Sequence, residues 1–473
     1  LFDLFSDLSY NDQDKMKCPK RHERIFIMTL NVFSMFDGVG GFIVGLDNAN
    51  KELNKPVFNT LYSNQFEPSR KSQDAYEVGL YQFPEVNHSN KDIELWEDSE
   101  FQELKDNGVN MIVGGFPCQD YSVARSKKNE MGIEGKKGVL FWSIIRAVEV
   151  IKPEYLILEN VDRLLKSPSK QRGRDFAVML GAFNQLGYSV EWRVINAADY
   201  GFAQRRRRVF FFVYRNDSAF ANQLSDKYNT EITDNFSDVD NNVFDHYIFK
   251  DGLFACQFPI QQVANKNRRY QHVLSDISAD DHENYILDIS DNFTGQVWNT
   301  GIMRNGKYYT VDTLPLGNEV PITLGEIAKE AKKTEPIIPE NIFISDEIKI
   351  KKFEELRGAK KKERTTSEGF TYTFSEGSMS PYDKFELPAR TMLTSEGTIN
   401  RSTHLLKEDG KFRFLTPIEA ELIQDFPANW TKYKKNKDTG EISEVSTRMR
   451  YFFMGNALVT GVVKRIGIEL GKI

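Results

Sequence analysis

The chain has 473 residues, of which 40% are hydrophobic and 27% charged, with a formal net charge of −6. That length exceeds one ordinary core, so two folded units, or one large domain with a long insertion, are expected. No apolar run approaches the roughly 18 residues needed to cross a bilayer, and Leu1 to Tyr10 lacks a basic region followed by an apolar one. A cytoplasmic protein with no membrane partner is therefore expected. Cys18, Cys118 and Cys256 are widely separated and lack zinc-ligand spacing, which argues against a disulfide framework and a structural metal and for a reducing compartment. The negative charge excludes a uniformly basic surface, yet nucleic acid needs only a local basic face. Arg205 to Arg208, Arg268-Arg269, Lys360 to Arg364 and Lys432 to Lys437 are such local clusters. A solvated loop is the plain alternative for each, and the favoured one for the last.

In chain order, residues 1–27 read as a polar, weakly periodic extension, and the ordered core starts near residue 28. Thr29 to Phe36 is strand-like, Asp37 to Phe42 a glycine-rich turn, and Ile43 to Leu53 helix-like, which together make the first half of a βαβ unit. Glycines in that turn let a ligand approach the backbone, and the helix behind it presents free N–H groups. The apolar run Val57 to Tyr62 ends in Ser63-Asn64-Gln65-Phe66-Glu67, where a nucleoside-binding fold places a group to hold ribose hydroxyls. Gln65 and Glu67 are both candidates there. A third segment finishes at Lys91-Asp92-Ile93, and Met111-Ile112-Val113 reads as a buried parallel strand opening into Gly114-Gly115-Phe116-Pro117-Cys118-Gln119. A cysteine at such a strand end faces the crevice where open α/β sheets bind ligands; a half-buried structural thiol is the competing reading.

Helical spacing over Phe141 to Ile151 and Phe176 to Leu186, with a strand at Tyr155 to Leu158 closed by Glu159-Asn160-Val161, continues the alternation. Val190 to Ile195 and Val209 to Tyr214 read as further strands. Strands alternating with helices predict an α/β, Rossmann-like doubly wound sheet over residues 28–215. From about 216 the alternation stops, and residues 216–446 read as a smaller, irregular second unit with short strand-like runs at Tyr308 to Val311 and Phe370 to Phe374. Order returns near Pro388 to Thr391. Residues 447–473, with Tyr451 to Asn456 and an apolar helix at Val459 to Leu470, are expected to return to the first unit, and no internal repeat is present.

These stretches, in this order, resemble the bacterial cytosine-5 DNA methyltransferase family of restriction–modification type. Phe36-Asp37-Gly38-Val39-Gly40-Gly41 is similar to the family's first motif, Pro117-Cys118-Gln119 to its nucleophile motif, and Glu159-Asn160-Val161 to its acidic motif. Gln204 to Arg208 resembles the QxRxR motif and Gly455-Asn456-Ala457 the closing one, with Gly138 to Phe141 and Arg413 to Glu419, ending in Gln424 to Pro427, also present. The likeness covers residues 29–215 and 387–473.

The resemblance implies S-adenosylmethionine as cofactor, double-stranded DNA as partner, and a Rossmann-like methyltransferase domain beside a target-recognition domain. It also implies a monomer needing no stable protein partner, with a cognate restriction endonuclease acting on the same sequence. Cytosine C5 is too poor a nucleophile to take a methyl group unaided, so thiolate addition at C6 is needed to make it an enamine-like carbon. Cys118 would be that thiolate, Glu159 a donor at N3, and Arg208 with Arg206 the holders of O2. Alternation on an extended segment turns Arg206 and Arg208 to one side and leaves Arg205 and Arg207 to solvent or phosphate. By the same resemblance Phe36, Gly38, Val39 and Gly41 pack round the cofactor with Gln65 and Phe66 near its ribose, Asp92 and Ile93 meet the adenine, and Pro117, Leu140 and Asn456 line the methionine end. Two departures stand out: the family usually has glutamate where this chain has Gln65, and proline where it has Val459. The loop Asp120 to Lys137 resembles the mobile loop that closes over a flipped base. Gln119, Ser122, Arg125 and Gln204 are candidate DNA contacts near the site, and Arg268, Arg269, Arg304, Asn305, Arg401 and His404 candidate base readers. A transfer-RNA cytosine methyltransferase and an inactive DNA-binding regulator are the alternatives.

Overall fold

The computed structural model describes residues 29–117, 140–228, 247–261, 268–282, 284–365, 369 and 371–473. Its first half alternates strand and helix as the periodicity predicts. The strands are β1 (Leu30–Met35), β2 (Phe58–Asn64), β3 (Asn87–Ser89), β4 (Met111–Gly115), β5 (Tyr155–Val161), β6 (Tyr188–Asn196) and β7 (Arg207–Arg215). Between and after them lie α1 (Gly41–Leu53), α2 (Asp74–Gln82), α3 (Asp98–Asp106), α4 (Leu140–Ile151), α5 (Arg174–Gln185) and α6 (Ala219–Tyr228). The sheet runs β3-β2-β1-β4-β5-β7-β6, parallel from β3 to β5, with β7 antiparallel to both its neighbours.

Both faces of this sheet are buried, which is why its strands read as continuous apolar runs. Ile112, Leu156, Leu158 and Phe211 pack with Phe101, Ile144, Phe176 and Leu180 on one side. The alternate residues Val113, Ile157 and Phe212 pack with Phe42 and Leu46 on the other, joined there by Val463 and Ile466. Those last two belong to the closing helix of the chain.

The sheet does not stop where the alternation stops. β8 (Arg269–Val273), β9 (Thr300–Arg304) and β10 (Lys307–Val311) continue it as β6-β9-β10-β8, giving a sheet of ten strands among the described residues. The division placed at residue 216 therefore does not coincide with the edge of the sheet. Val190 to Arg193 of β6 pair antiparallel with Thr300 to Met303, and the indole of Trp192 covers the bare face of Gly301, where a Cβ would lie 2.2 Å from the ring. The buried guanidinium of Arg193 donates to the carbonyls of Ile248, Phe254 and Phe258, binding the segment before β8 to the same strand. Cys256 in that segment is disulfide-bonded, which does not follow from the wide spacing that argues against a disulfide framework; separation in sequence is no measure of distance in the fold.

Beyond α7 (Asn284–Asn292) and α8 (Leu324–Thr334), the irregular part consists of β11 (Phe343–Ile344), α9 (Glu347–Arg357) and the two-stranded ribbon β12 (Lys360–Thr365) and β13 (Thr371–Glu376). Then come β14 (Leu406–Glu408), β15 (Lys411–Arg413), α10 (Pro417–Ile423) and the hairpin β16 (Tyr433–Lys435) and β17 (Ile442–Glu444). The chain closes with α11 (Thr447–Asn456) and α12 (Thr460–Leu470). Among the described residues no helix is long and apolar enough to cross a membrane.

Candidate active site

The carboxyl ends of β1, β2, β4 and β5 lie along one edge, and the order of connection reverses between β1 and β4, the usual place for a ligand crevice. Gly114 lets β4 approach β1 there: a Cβ on it would lie 2.7 Å from the carbonyl oxygen of Met35. A Cβ on Gly115 would lie 3.1 Å from Glu159 Oε2, so this second glycine leaves the carboxyl group its space.

Glu159 sits on β5 with its side chain largely buried, and Arg208 Nε meets Glu159 Oε1 at 2.8 Å. Burial pushes the Glu159 carboxyl up, while the nearby guanidinium groups of Arg208 and Arg206 pull it down. The outcome is a carboxyl group with raised proton affinity that is still oriented by a cation, as a proton donor in a closed site requires. Asn160 beside it is buried; its Nδ2 donates to the carbonyl of Phe116 at 3.0 Å and its Oδ1 accepts from the Val161 amide. One asparagine thus holds the chain where it leaves β4 at Phe116. The motif contains this residue, but its task is invisible without knowing that Phe116 lies opposite. Cys118, Gln119, Ser122 and Arg125, and the loop Asp120 to Lys137, lie outside the described residues.

The four arginines divide by alternation as expected: Arg205 and Arg207 are exposed, Arg206 is buried and Arg208 is largely covered. Arg206 differs from expectation in its partners. Its Nη1 donates to the carbonyl of Met392 at 3.1 Å and its Nη2 to those of Gly455 and Asn456 at 3.1 and 3.4 Å. It joins three stretches of chain, and its influence on Glu159 is felt as charge.

At the other end of the crevice the loop after β1 turns through left-handed backbone at Phe36 and Gly38, with φ of 55° and 62°. Nothing lies within 4 Å of where a Cβ on Gly38 would stand, so the loop has an open side there. Gln65, at the end of β2, accepts from the Gly38 N–H at 2.7 Å, and Asn90 donates to the Gln65 carbonyl at 2.6 Å. Asn64 donates to the carbonyl of Lys91, and Asp92 caps the following turn by accepting from the Glu94 amide. Phe66 is half-buried, Ile93 buried, Gly41 buried, and Leu140 half-buried at the start of α4. Val39 is buried in an apolar cluster with Phe83 and Phe426, and its carbonyl accepts from Trp430 Nε1 at 2.8 Å. The Asn456 side chain is exposed at the end of α11. Sequence reasoning misses Trp430; a tryptophan isolated in a polar stretch is the signal that could have found it.

Several expected DNA contacts are corrected. Gln204 is fully buried, with Oε1 accepting from the Met392 amide at 3.3 Å, and has no surface to offer. Arg304 is buried in β9, and Arg304-Asn305-Gly306-Lys307 forms the hairpin turn on the Val190 side of the sheet, the end opposite Arg208. Arg401 donates to the carbonyls of Leu356 and Gly358 at 2.7 and 2.9 Å, and His404 is buried against Glu396. Arg401 and His404 thus satisfy carbonyls and a carboxylate that would otherwise be buried without a partner, whereas Arg304 donates to the Ser225 hydroxyl at 3.3 Å. Arg268 is half-exposed but paired with Asp312 at 2.8 Å, and Arg269 begins the edge strand β8.

A family model described as C-5 cytosine-specific DNA methylase matches residues 30–472. The chain is 50% identical over 448 residues to the Type II methyltransferase M.Sau3AI of Staphylococcus aureus, covering 94% of this chain and 96% of that protein. It is 30% identical over 188 residues to the Type II methyltransferase M.HhaI of Haemophilus parahaemolyticus, 40% of this chain and 50% of that protein. Among solved structures, the Dnmt2 methyltransferase of S. pombe aligns with a TM-score of 0.51 at 12% identity, over 93% of this chain and 98% of that one. That last likeness bears on the fold alone.

Proposed function

From the premise that the chain belongs to the C-5 cytosine-specific DNA methylase family, we propose that it methylates cytosine C5 within one short sequence of double-stranded DNA, by covalent addition of Cys118. S-adenosylmethionine is the methyl donor, supplying an electrophilic methyl group on sulfur. The open-sided turn at Gly38, the Gln65 contact beneath it and the capped turn at Asp92 fit a nucleoside bearing a charged tail. Phe36, Gly38, Gly41, Gln65, Phe66, Asp92 and Ile93 would hold it, with Pro117, Leu140 and Asn456 at the methyl end.

The observation that carries the reading is Glu159, a buried carboxyl group of raised proton affinity aligned by Arg208, on the strand paired with the one that runs on to Phe116-Pro117. The Cys118 thiolate adds to C6, and the electron pair displaced from the C5–C6 bond passes towards C5 and the N3 side of the ring. Glu159 meets that charge by donating to N3, and Arg208 holds both Glu159 and O2. As C5 takes the methyl group N3 returns its proton to Glu159; the C5 proton then leaves to a base and the Cys118 bond breaks, restoring the aromatic ring and the thiolate. The target cytosine must leave the duplex for this, at a cost of a few kcal/mol met by pocket and phosphate contacts. The enzyme works as a monomer in the cytoplasm and protects DNA from a cognate endonuclease of the same specificity.

The test is methylation of plasmid DNA with labelled S-adenosylmethionine, followed by bisulfite sequencing. The expected result is methylcytosine at one short recurring sequence, lost in Cys118→Ala while cofactor binding survives. Label in transfer RNA and none in DNA would overturn the reading.

A further inference from the structure

The ribbon formed by β12 and β13 has no evident role in the packed structure. Six residues of β12 carry four cations and one carboxylate. Lys361 to Thr365 are exposed and Lys360 half-buried, and across from them Thr371, Thr373 and Ser375 are exposed as well. An isolated two-stranded ribbon is marginal in water, so this one needs anchorage. It has it at the base. Arg401 donates to the Gly358 carbonyl before one strand and to the Gly377 carbonyl after the other, with Glu376 3.6 Å from its Nε. The buried Arg357 donates to the carbonyls of Ser380, Pro381 and Thr403 and pairs with Asp383 at 2.8 Å. Two arginines that could have faced a ligand instead hold an otherwise unsupported ribbon out from the body.

The register sorts the ribbon's side chains. Lys360 pairs with Glu376 and Lys362 with Phe374, so residues 360, 362, 364, 374 and 376 share one face, and Lys361 and Glu363 the other. On the first face Arg364 stacks over the Phe374 ring at 3.9 Å, which holds it extended. Among the described residues Lys360, Lys362 and Arg364 make no ion pair, and the carboxylate of Glu376, across from Lys360, lies 3.6 Å from Arg401 Nε at the base. The result is a cation about every 7 Å along one side of a thin ribbon, in a chain whose net charge is −6. Such a concentration against the overall sign repels itself unless a polyanion meets it. Nor is the ribbon remote from the chemistry. Ala389 bridges to Gln204 and Met392 accepts from Arg206, and the same stretch runs on to Arg401 at the ribbon's base.

We propose that β12 and β13 form the element that enters the DNA, with Lys360, Lys362 and Arg364 on the phosphates flanking the major groove. That groove, about 12 Å wide, admits a two-stranded ribbon. The proposal rests on the reading above that duplex DNA is the substrate, and it names the part of the chain that holds it. The test is a triple variant, Lys360→Gln, Lys362→Gln and Arg364→Gln, with methylation of cognate plasmid measured between 50 and 300 mM salt. Every phosphate that a cation no longer neutralises lowers the slope of log affinity against log salt by about 1. The expected result is a slope lower by about 3, a KM for DNA at least tenfold higher at the upper salt, and unchanged kcat at saturating DNA and cofactor affinity. The charge-keeping variant Lys360→Arg, Lys362→Arg and Arg364→Lys retains the wild-type slope, and Lys361→Gln, on the other face, changes it little. An unchanged slope in the triple variant of an active enzyme overturns the ribbon assignment alone. A wild-type enzyme that does not methylate DNA overturns the parent reading with it.

Discussion

At the scale of single residues, Asp37 is a carboxyl group whose protonation is set by its surroundings. Its carboxyl is buried in the turn after β1 beside the Ser34 hydroxyl, which donates to it at 2.6 Å, and burial pushes it from 3.8 up to about 7. In the unfolded chain the acid ionises near pH 4; in the fold it keeps its proton until about 7. Between those values the unfolded state binds fewer protons, so the contribution of this group to stability is fully present below pH 4 and is lost as pH rises through 7. A rise of that size corresponds to roughly 4 kcal/mol as an upper bound. Asp37→Asn removes the titration. It is expected to match wild type in urea unfolding at pH 4 and to exceed it by a few kcal/mol at pH 8. A difference that does not vary with pH would show that Asp37 is not held protonated. The sequence places Asp37 in a glycine-rich turn, but only the packing around it shows that the carboxyl is shut away from water.

At the scale of elements, the short helix α11 is set by what its penultimate residue lacks. Gly455 has ordinary helical backbone, so its reason is space: a Cβ there would stand 2.3 Å from the Thr394 nitrogen and 2.4 Å from the Leu393 carbonyl carbon. Those are main-chain atoms that no rotamer change can move aside. Alanine in a helix interior normally gains up to about 1 kcal/mol over glycine, and overpacking costs about 1–3. Gly455→Ala is therefore expected to destabilise the protein by about 1–2 kcal/mol in urea unfolding, and a stabilised variant would refute the close approach. The same distinction explains which elements are legible. The parallel strands and α4, α5 and α12 show in the sequence because each buries a continuous or 3.6-periodic apolar face. β8 reads Arg269-Tyr270-Gln271-His272-Val273, a half-covered edge strand without alternation, and β9 joins the sheet through Gly301 beneath Trp192, a pairing that no local pattern carries. Glu159 and Arg208 are legible because motif and strand register coincide. Gln204, Arg304, Arg401 and His404 mislead because side-chain chemistry states what a residue can bond, whereas the fold buries Gln204 and Arg304 and gives Arg401 and His404 carbonyl and carboxylate partners before any base.

At the scale of the whole molecule, the early and late parts of the chain meet at one guanidinium. Arg206, just before β7, reaches the carbonyls of Met392, Gly455 and Asn456. Gln424 Nε2 donates nearby to the carbonyls of Met454 and Ala457 at 2.6 and 3.1 Å. The stretch around Met392 and the closing segment around Gly455 are thus joined to the start of β7 through buried main-chain acceptors. Arg206→Met leaves three of them without a charged donor, at about 1.5–3 kcal/mol for each strong hydrogen bond removed, partly recovered by relaxation. A net destabilisation of about 3–5 kcal/mol is expected. Arg206→Lys does not restore it, because a single ammonium cannot span the planar fork's partners. Removing this charge also leaves Arg208 alone to oppose the upward push of burial on Glu159, so its carboxyl keeps its proton to higher pH. The alkaline limb of kcat at saturating DNA is then expected to move upward in Arg206→Met, while Arg208→Met lowers kcat at every pH. A stable Arg206→Met enzyme whose kcat falls as far as that of Arg208→Met, with no shift in profile, would instead put Arg206 against the target cytosine.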